Sequence, residues 1–219
     1  MIKAVLFDLD GTFADTAPDL ANALNCVRQE KGLSPLPLES IRLETSNGAN
    51  ALIKLGFEIE TSATDFSNLK NRLLDHYLNN IAEYTTLFAG IDELIKKLEE
   101  RSITWGIVTN KPMRFTNPLM EKLGISDRTH CIVSGDTTSH AKPHPESLIY
   151  ATKLLGISPR DCLYIGDAAR DISAARNAGM RSLIAMYGYI GLDDQTDQWG
   201  ADGKIDHPLD ILSYLSSIE

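Results

Sequence analysis

The sequence contains few cysteines. Only three occur in 219 residues, Cys26, Cys131 and Cys162, and none belongs to a CxxC pair. An odd number of widely spaced cysteines argues against a disulfide framework and against a cysteine zinc site, and it is typical of a reducing compartment. We therefore expect all three to be small, buried apolar residues.

We expect neither a targeting segment nor a membrane-spanning segment. The N-terminal stretch MIKAVLFDLDGT has a short apolar run that two nearby acids follow, which does not match a signal peptide. No window of the sequence approaches the apolar length that a bilayer span needs. The sequence therefore predicts a cytoplasmic protein without a membrane partner.

Basic residues are fewer than acidic residues in this sequence. The chain has 21 Lys and Arg against 30 Asp and Glu, a formal net charge of −9. Such a chain repels phosphate backbones, so we expect no nucleic-acid partner. A small phosphorylated metabolite is still possible at a locally positive site. The motifs of P-loop nucleotide sites and of serine hydrolases do not occur. Whether the protein is a monomer or a homodimer stays open.

Short apolar runs alternate with longer amphipathic segments. This alternation predicts an α/β fold, a doubly wound, Rossmann-like parallel sheet with helices on both faces. The runs expected to form buried strands are Ala4–Phe7, Ile103–Val108, Cys131–Val133, Leu163–Ile165 and Leu183–Met186.

Residues 15–85 interrupt that rhythm with helical patterns alone. Thr16, Pro18 and Asp19 resemble a helix start, with the threonine and the acid spaced as in a capping box. We interpret 15–85 as an inserted all-helical domain. The sheet-containing domain then consists of residues 1–14 and 86–219.

Polar clusters follow four of the predicted strands, where the ligand sites of open parallel sheets lie. The first cluster contains Asp8 and Asp10. If the chain is extended there, the two carboxylates point the same way. One could then attack phosphorus while the other exchanges protons with the leaving group and with water. Gly11 would let the backbone turn toward a ligand.

The carboxylates of Asp167 and Asp171 would repel Asp8 unless a cation lies among them. A site of few protein oxygens suits Mg²⁺. We predict Asp8, Asp167 and the backbone carbonyl of Asp10 as metal ligands. Asp171 is expected to orient the site from just outside.

Donors for a phosphate group follow the second and third strands. Thr109 offers a hydroxyl and Asn110 a backbone N–H, while Lys142 adds a positive charge near the nucleophile. Together with the metal, Lys142 would offset the carboxylates and stabilise a phosphoryl transition state.

The motifs DLDGT, VTN, AKPHPE and GDAARD, in this order, resemble those of the haloacid dehalogenase superfamily of phosphohydrolases. The resemblance covers almost the whole chain and implies a helical cap inserted after the first motif. It implies that Asp8 is the nucleophile and Asp10 the general acid/base. It further implies that Thr109 and Lys142 bind phosphate and that Asp167 binds the metal. Dehalogenases proper lack the second acid, so we expect a phosphatase.

Other segments bear on the substrate. The turn Thr45–Ala49 resembles the specificity loop of phosphoglycolate phosphatases, which makes Asn47 and Gly48 candidate substrate residues; Ser46 or Asn47 could instead cap a helix. Segments 105–120 and 187–209 resemble a proteobacterial group that includes N-acetylmuramic acid 6-phosphate phosphatases. Arg114 is either a ligand for a substrate carboxylate or a solvated arginine.

Two further interpretations stay open. A sugar phosphomutase would share the aspartyl-phosphate step but return the phosphate to the sugar. A catalytically inactive binding protein could also retain this scaffold.

Overall fold

The computed structural model describes residues 1–191 and 193–218, and the chain divides into two compact units. One unit comprises Met1–Ala14 and the chain from Leu87 onward, and the other comprises Asp15–Thr86. None of the helices in the described part of the chain combines the length and apolar character that a membrane crossing requires.

The larger unit is built on a parallel sheet. Among the described residues it has six strands in the order β5-β4-β1-β6-β7-β8, and every neighbouring pair is parallel. The strands of the described chain are β1 (Ala4–Phe7), β2 (Ala14–Asp15), β3 (Thr86–Leu87), β4 (Thr104–Val108), β5 (Ile132–Val133), β6 (Cys162–Gly166), β7 (Arg181–Ala185) and β8 (Gly203–Ile205).

Helices alternate with these strands and also form the smaller unit. The helices of the described chain are α1 (Ala17–Glu30), α2 (Leu38–Thr45), α3 (Gly48–Phe57), α4 (Phe66–Asn79), α5 (Ile91–Glu100), α6 (Met113–Lys122), α7 (Glu146–Leu155), α8 (Ala169–Ala178) and α9 (Asp210–Ser217).

Both faces of the sheet are covered, as the sequence predicted. Successive side chains of a strand point to opposite faces. Leu6 of β1 belongs to a buried cluster with Leu148 of α7 and Ala174 of α8. Trp105 of β4 lies on the opposite face and donates its indole N–H to Glu99 of α5 (3.3 Å). The doubly wound α/β prediction is therefore confirmed.

The connections on either side of β1 determine where a ligand site is expected at the edge of the sheet. The chain leaves β1, forms β4 and β5 on one side, and then returns to pair β6 with the other side of β1. This reversal of strand order opens a crevice at the carboxyl ends of the strands. Asp8 follows β1, Thr109 follows β4 and Asp167 follows β6, so the topology brings three of the predicted clusters to this crevice.

The smaller unit contains helices α1–α4 and buries an apolar core. Gly56 of α3 lies against Leu24 of α1 so closely that a Cβ atom there would come within 2.6 Å of the leucine side chain. The capping box expected at α1 is not formed. Asp19 instead accepts hydrogen bonds from the backbone N–H groups of Tyr84 (2.8 Å) and Thr85 (3.0 Å). These bonds hold the C-terminal end of this unit against its first helix, α1.

All three cysteines are free. Cys131 and Cys162 are buried, and burial raises the pKa of Cys131 to about 12 and that of Cys162 to about 11. Both therefore remain protonated thiols at neutral pH. The expectation of burial was wrong for Cys26, which is half-buried on α1.

Candidate active site

Asp8 lies buried where β1 ends. Its backbone N–H donates to Ile165 of β6 (2.9 Å), which continues the pairing of the two strands by one residue. Its Oδ1 atom accepts a hydrogen bond from the N–H of Leu9 (2.8 Å) and lies 2.9 Å from Lys142 Nζ. The carboxylate of Asp8 is thus fixed by the backbone and by a buried cation.

The chain turns directly after Asp8 rather than staying extended. The N–H groups of Phe13 (3.1 Å) and Ala14 (2.9 Å) both donate to the carbonyl of Leu9. Gly11 adopts a φ of +82°, and a Cβ atom there would lie 2.2 Å from Asp167 Oδ2. Residue 11 must therefore be glycine both for its backbone conformation and for the close approach of Asp167.

Lys142 is the centre of a buried polar network. Its Nζ lies 2.9 Å from Asp8 Oδ1 and 2.7 Å from Asp171 Oδ1. It also donates to the hydroxyl of Tyr164 (2.7 Å) and to the carbonyl of Val108 (3.1 Å). Burial alone would lower the pKa of Lys142, but the carboxylates of Asp171 and Asp8 raise it. The lysine is therefore a fixed positive charge beside Asp8.

Three buried carboxylates gather at this point. One carboxylate oxygen from each of Asp8, Asp167 and Asp171 lies within 4.8 Å of the others. Burial, followed by the negative charges of Asp8 and Asp171, raises the pKa of Asp167 to about 7. Asp167 also accepts hydrogen bonds from Thr12 Oγ1 (3.2 Å) and from the N–H of Tyr189 (3.0 Å). This concentration of negative charge is suited to a cation.

Asp171 has two structural contacts. Its Oδ2 accepts a hydrogen bond from the N–H of Ala168 (3.1 Å) at the beginning of α8, while its Oδ1 faces Lys142. The side chain therefore joins the helix start to the lysine. Arg170, the preceding residue, is half-buried; burial would lower its pKa, but the charges of Asp171, Asp8 and Asp167 raise it. Arg170 is a second cation near the carboxylates, one that the sequence interpretation missed.

Asp10 forms an ion pair that the sequence interpretation also missed. Its Oδ1 lies 2.8 Å from Lys111 Nζ, and the lysine side chain is only 7% exposed. Lys111 follows directly on the Thr109-Asn110 pair at the end of β4. The sequence shows that Lys111 belongs to the polar cluster after the second predicted strand, but it does not show that Asp10 is its partner.

If Asp10 is the acid/base that the sequence predicts, replacing Lys111 with glutamine is expected to lower kcat about tenfold and to leave KM within about twofold, because Asp10 would lose the cation that orients it. Steady-state kinetics of phosphate release would measure this. Lys153→Gln, which changes an exposed lysine of α7, is the matched control. Unchanged kcat in Lys111→Gln would show that the ion pair does not position Asp10.

Thr109 and Asn110 hold the loop after β4. Thr109 is buried, and its hydroxyl oxygen accepts a hydrogen bond from the N–H of Lys111 (3.1 Å). The side-chain amide of Asn110 donates to the carbonyl of Lys142 (2.9 Å) and accepts from its N–H (2.9 Å). The sequence suggested only the backbone N–H of Asn110, as a donor to phosphate. In the structure the side chain of Asn110 also binds the backbone of Lys142.

We expect Asn110→Leu to lower kcat by about 10- to 100-fold, because a lysine displaced by even about 1 Å loses its alignment with Asp8. Two backbone groups of Lys142 also lose their partners, at a cost of about 1–3 kcal/mol each if they stay buried. Kinetics and thermal unfolding would measure both effects. Asn71→Leu, at an exposed asparagine of α4, should change neither.

The other candidate residues are Arg114, Asn47 and Gly48. Arg114 is exposed in the first turn of α6 and stacks on the ring of Phe115, 4.5 Å from its centroid. Asn47 and Gly48 belong to the smaller unit, at the junction of α2 and α3. Asn47 does not cap α3 with its side chain but donates to Glu44 Oε2 (3.1 Å).

With this geometry in view, comparison with known proteins identifies the family. Residues 5–185 match the haloacid dehalogenase-like hydrolases, and the chain belongs to that family. It is 39% identical over 216 residues to an N-acetylmuramic acid 6-phosphate phosphatase of Pseudomonas putida, covering 99% of this chain and 97% of the relative. It is 37% identical over 207 residues to a phosphoglycolate phosphatase of Xanthomonas campestris, covering 94% and 93%.

The fold is similar to that of a solved structure as well. A predicted phosphoglycolate phosphatase from Haemophilus somnus superposes with a TM-score of 0.86 at 27% identity and covers 98% of each chain. The family resemblance seen in the sequence motifs is therefore confirmed, and with it the expectation of a phosphatase.

Proposed function

We propose that this protein is a cytoplasmic, Mg²⁺-dependent phosphatase that hydrolyses a small phosphomonoester carrying a carboxylate, by way of an aspartyl-phosphate on Asp8. The observation that carries the proposal is the buried pair of Asp8 and Lys142, 2.9 Å apart, beside the carboxylates of Asp167 and Asp171. The activities of the relatives support the same chemistry. All the proposed site residues belong to one chain, so the site could form in a monomer or in a homodimer.

In the first step a carboxylate oxygen of Asp8 attacks the phosphorus atom. The new oxygen–phosphorus bond forms as the ester oxygen leaves, and Asp10 donates a proton to that oxygen. Lys142 keeps its positive charge throughout and offsets the charge of the phosphoryl oxygens. Thr109 and the N–H of Asn110 are the proposed donors to those oxygens.

In the second step a water molecule attacks the phosphorus of the acyl phosphate. Asp10, now ionised, accepts the proton of the water, and the bond between phosphorus and Asp8 breaks. Inorganic phosphate leaves, Asp8 returns as a carboxylate, and Asp10 returns as the protonated acid in which it entered the first step. The contact between Lys111 Nζ and Asp10 Oδ1 (2.8 Å) orients Asp10 in both steps, as an ion pair while Asp10 is ionised and as a hydrogen bond while it is protonated.

The residues present fit a magnesium ion. The clustered oxygens of Asp8 and Asp167 are hard ligands, and a cation would relieve the repulsion that, together with burial, raises the pKa of Asp167. We assign these two carboxylates and the carbonyl of Asp10 as ligands, with Asp171 positioning Lys142. When bound, Mg²⁺ supplies Lewis-acid neutralisation of phosphate charge.

Substrate recognition is assigned to residues outside this network. The two relatives act on N-acetylmuramic acid 6-phosphate and on phosphoglycolate, as their names state, and both compounds carry a carboxylate. We assign Arg114 to that carboxylate, because its guanidinium is exposed at the start of α6, four residues after Asn110, which binds Lys142. Asn47 and Gly48 are the proposed substrate residues of the helical unit.

The test is phosphate release from N-acetylmuramic acid 6-phosphate and from 2-phosphoglycolate, side by side, with Mg²⁺ or with a chelator. We expect release to require Mg²⁺ and to return when the metal is restored. At least about a tenfold preference in kcat/KM, or about 1.4 kcal/mol in transition-state binding, would identify the substrate. Absence of release from both esters would contradict the proposal.

The phosphomutase interpretation predicts a different product. Incubation with β-glucose 1-phosphate would then yield glucose 6-phosphate without free phosphate. We expect instead that any turnover of this ester appears as inorganic phosphate. An inactive binding protein would release none from any ester, even with Mg²⁺ present.

A further inference from the structure

Two exposed histidines of the segment between β5 and α7 lie beside a carboxylate at the start of α7. The ring centroids of His140 and His144 are 4.5 Å apart. His140 Nδ1 lies 2.8 Å from Glu146 Oε2. One ligand atom from each of the three side chains lies within 4.8 Å of the others. None of these residues has a part in the phosphatase mechanism.

The backbone of the segment gathers these side chains. The N–H of His140 donates to Glu146 Oε2 (2.9 Å), and the N–H of Glu146 lies 3.3 Å from His144 Nδ1. Glu146 is also the first residue of α7, so its backbone is fixed by the helix. Lys142, between the two histidines, is fastened by Asn110. The three side chains are therefore held near one another before any ligand arrives.

The donor set selects a particular kind of ion. Two imidazole nitrogens and one carboxylate oxygen are the protein ligands of many zinc sites, whereas Mg²⁺ prefers oxygen alone. Tetrahedral Zn²⁺ with bonds of about 2.0–2.2 Å places its ligand atoms about 3.3 Å apart. Exposed side chains that start within 4.8 Å reach that spacing by small rotations.

We propose that His140, His144 and Glu146 form a binding site for a Zn²⁺-type transition-metal ion, separate from the magnesium site. The exposed histidines leave a fourth position open to water. An open surface depression of about 720 Å³ adjoins them, lined also by Ser173 and Arg176 of α8, so water can reach the remaining metal positions. The proposal does not rest on the phosphatase function, because the metal alone is the probe.

The first test is calorimetric titration of the full chain with Zn²⁺ in the presence of excess Mg²⁺, which occupies the carboxylate cluster. We expect one Zn²⁺ site per chain. His140→Ala/His144→Ala should abolish it, and Glu146→Gln should weaken it by at least about tenfold. His130→Ala, at an exposed histidine elsewhere on the unit, is the matched control and should bind as the wild type does.

The second test identifies the ligand atoms. Cu²⁺ added to the Mg²⁺-loaded protein should show electron paramagnetic resonance couplings from two imidazole nitrogens, and these should be missing in His140→Ala/His144→Ala. All substituted side chains are at least partly exposed, so circular dichroism should show an unchanged fold. Failure of the wild type to bind Zn²⁺ beside Mg²⁺, or equal binding by the double variant, would overturn the proposal.

Discussion

Asp8→Asn is expected to reduce phosphate release by about 10⁴-fold or more, because an amide cannot replace the carboxylate that we propose as the nucleophile. The variant should still fold. Removing one negative charge lessens the repulsion with Asp167, and Lys142 keeps its contact with Asp171 (2.7 Å). Kinetics with the preferred ester and circular dichroism of the same sample would measure both results.

The covalent step can be tested directly. Wild-type enzyme quenched during turnover and reduced with borohydride should carry homoserine at position 8, since reduction converts an acyl phosphate to an alcohol. Mass spectrometry of the peptide would detect it, and Asp8→Asn should give none. Asp197→Asn, at a side chain that is 94% exposed, is the control. Full activity in Asp8→Asn, or modification at another residue, would refute the assignment.

Lys142→Met is expected to damage both catalysis and stability. Phosphate release should fall by about 10²–10³-fold, the usual effect of removing one charge-stabilising group. The carboxylates of Asp8 and Asp171 would also be left buried without their cation, which costs about 3–5 kcal/mol. For a chain of this size we expect the melting temperature to fall by roughly 6–20 °C. Lys153→Met, on the exposed side of α7, should change neither quantity.

A double variant separates the two effects. Adding Asp171→Asn to Lys142→Met removes one of the stranded charges, so part of the lost stability should return. Activity should not return, because the cation beside Asp8 is still missing. If Lys142→Met and Asp171→Asn lowered stability additively, the 2.7 Å contact between them would be of no energetic consequence.

The central strands could be predicted because they are apolar throughout. Ala4–Phe7 was predicted with the bounds that β1 has, and β6 extends the predicted Leu163–Ile165 by one residue at each end. The edge strand β8 was missed, because only Ile205 of its three residues is buried. An edge strand has one exposed side and thus gives a weak hydrophobic pattern.

The ordered motifs predicted which residues carry the chemistry, but they could not predict the contacts between those residues. Lys111 and Asp10 are about a hundred positions apart in the chain, and their pairing depends on the register of β4 beside β1. Tyr164 looked like an ordinary buried strand residue, although its hydroxyl contacts Lys142. Thr12 was the exception, because it belongs to the quoted DLDGT motif and could have been proposed from it.

The two hydrogen bonds between the Asn110 side chain and the Lys142 backbone have a consequence for sequence variation in the loop before Lys142. Strand β5 has only two residues, and the reciprocal hydrogen bonds between the Asn110 side chain and the Lys142 backbone join the end of β4 to the segment that follows β5. The position of Lys142 is thereby set from the end of β4, not by the path of the loop before it. Insertions or deletions at residues 138–139 could then accumulate during evolution while Lys142 stays beside Asp8.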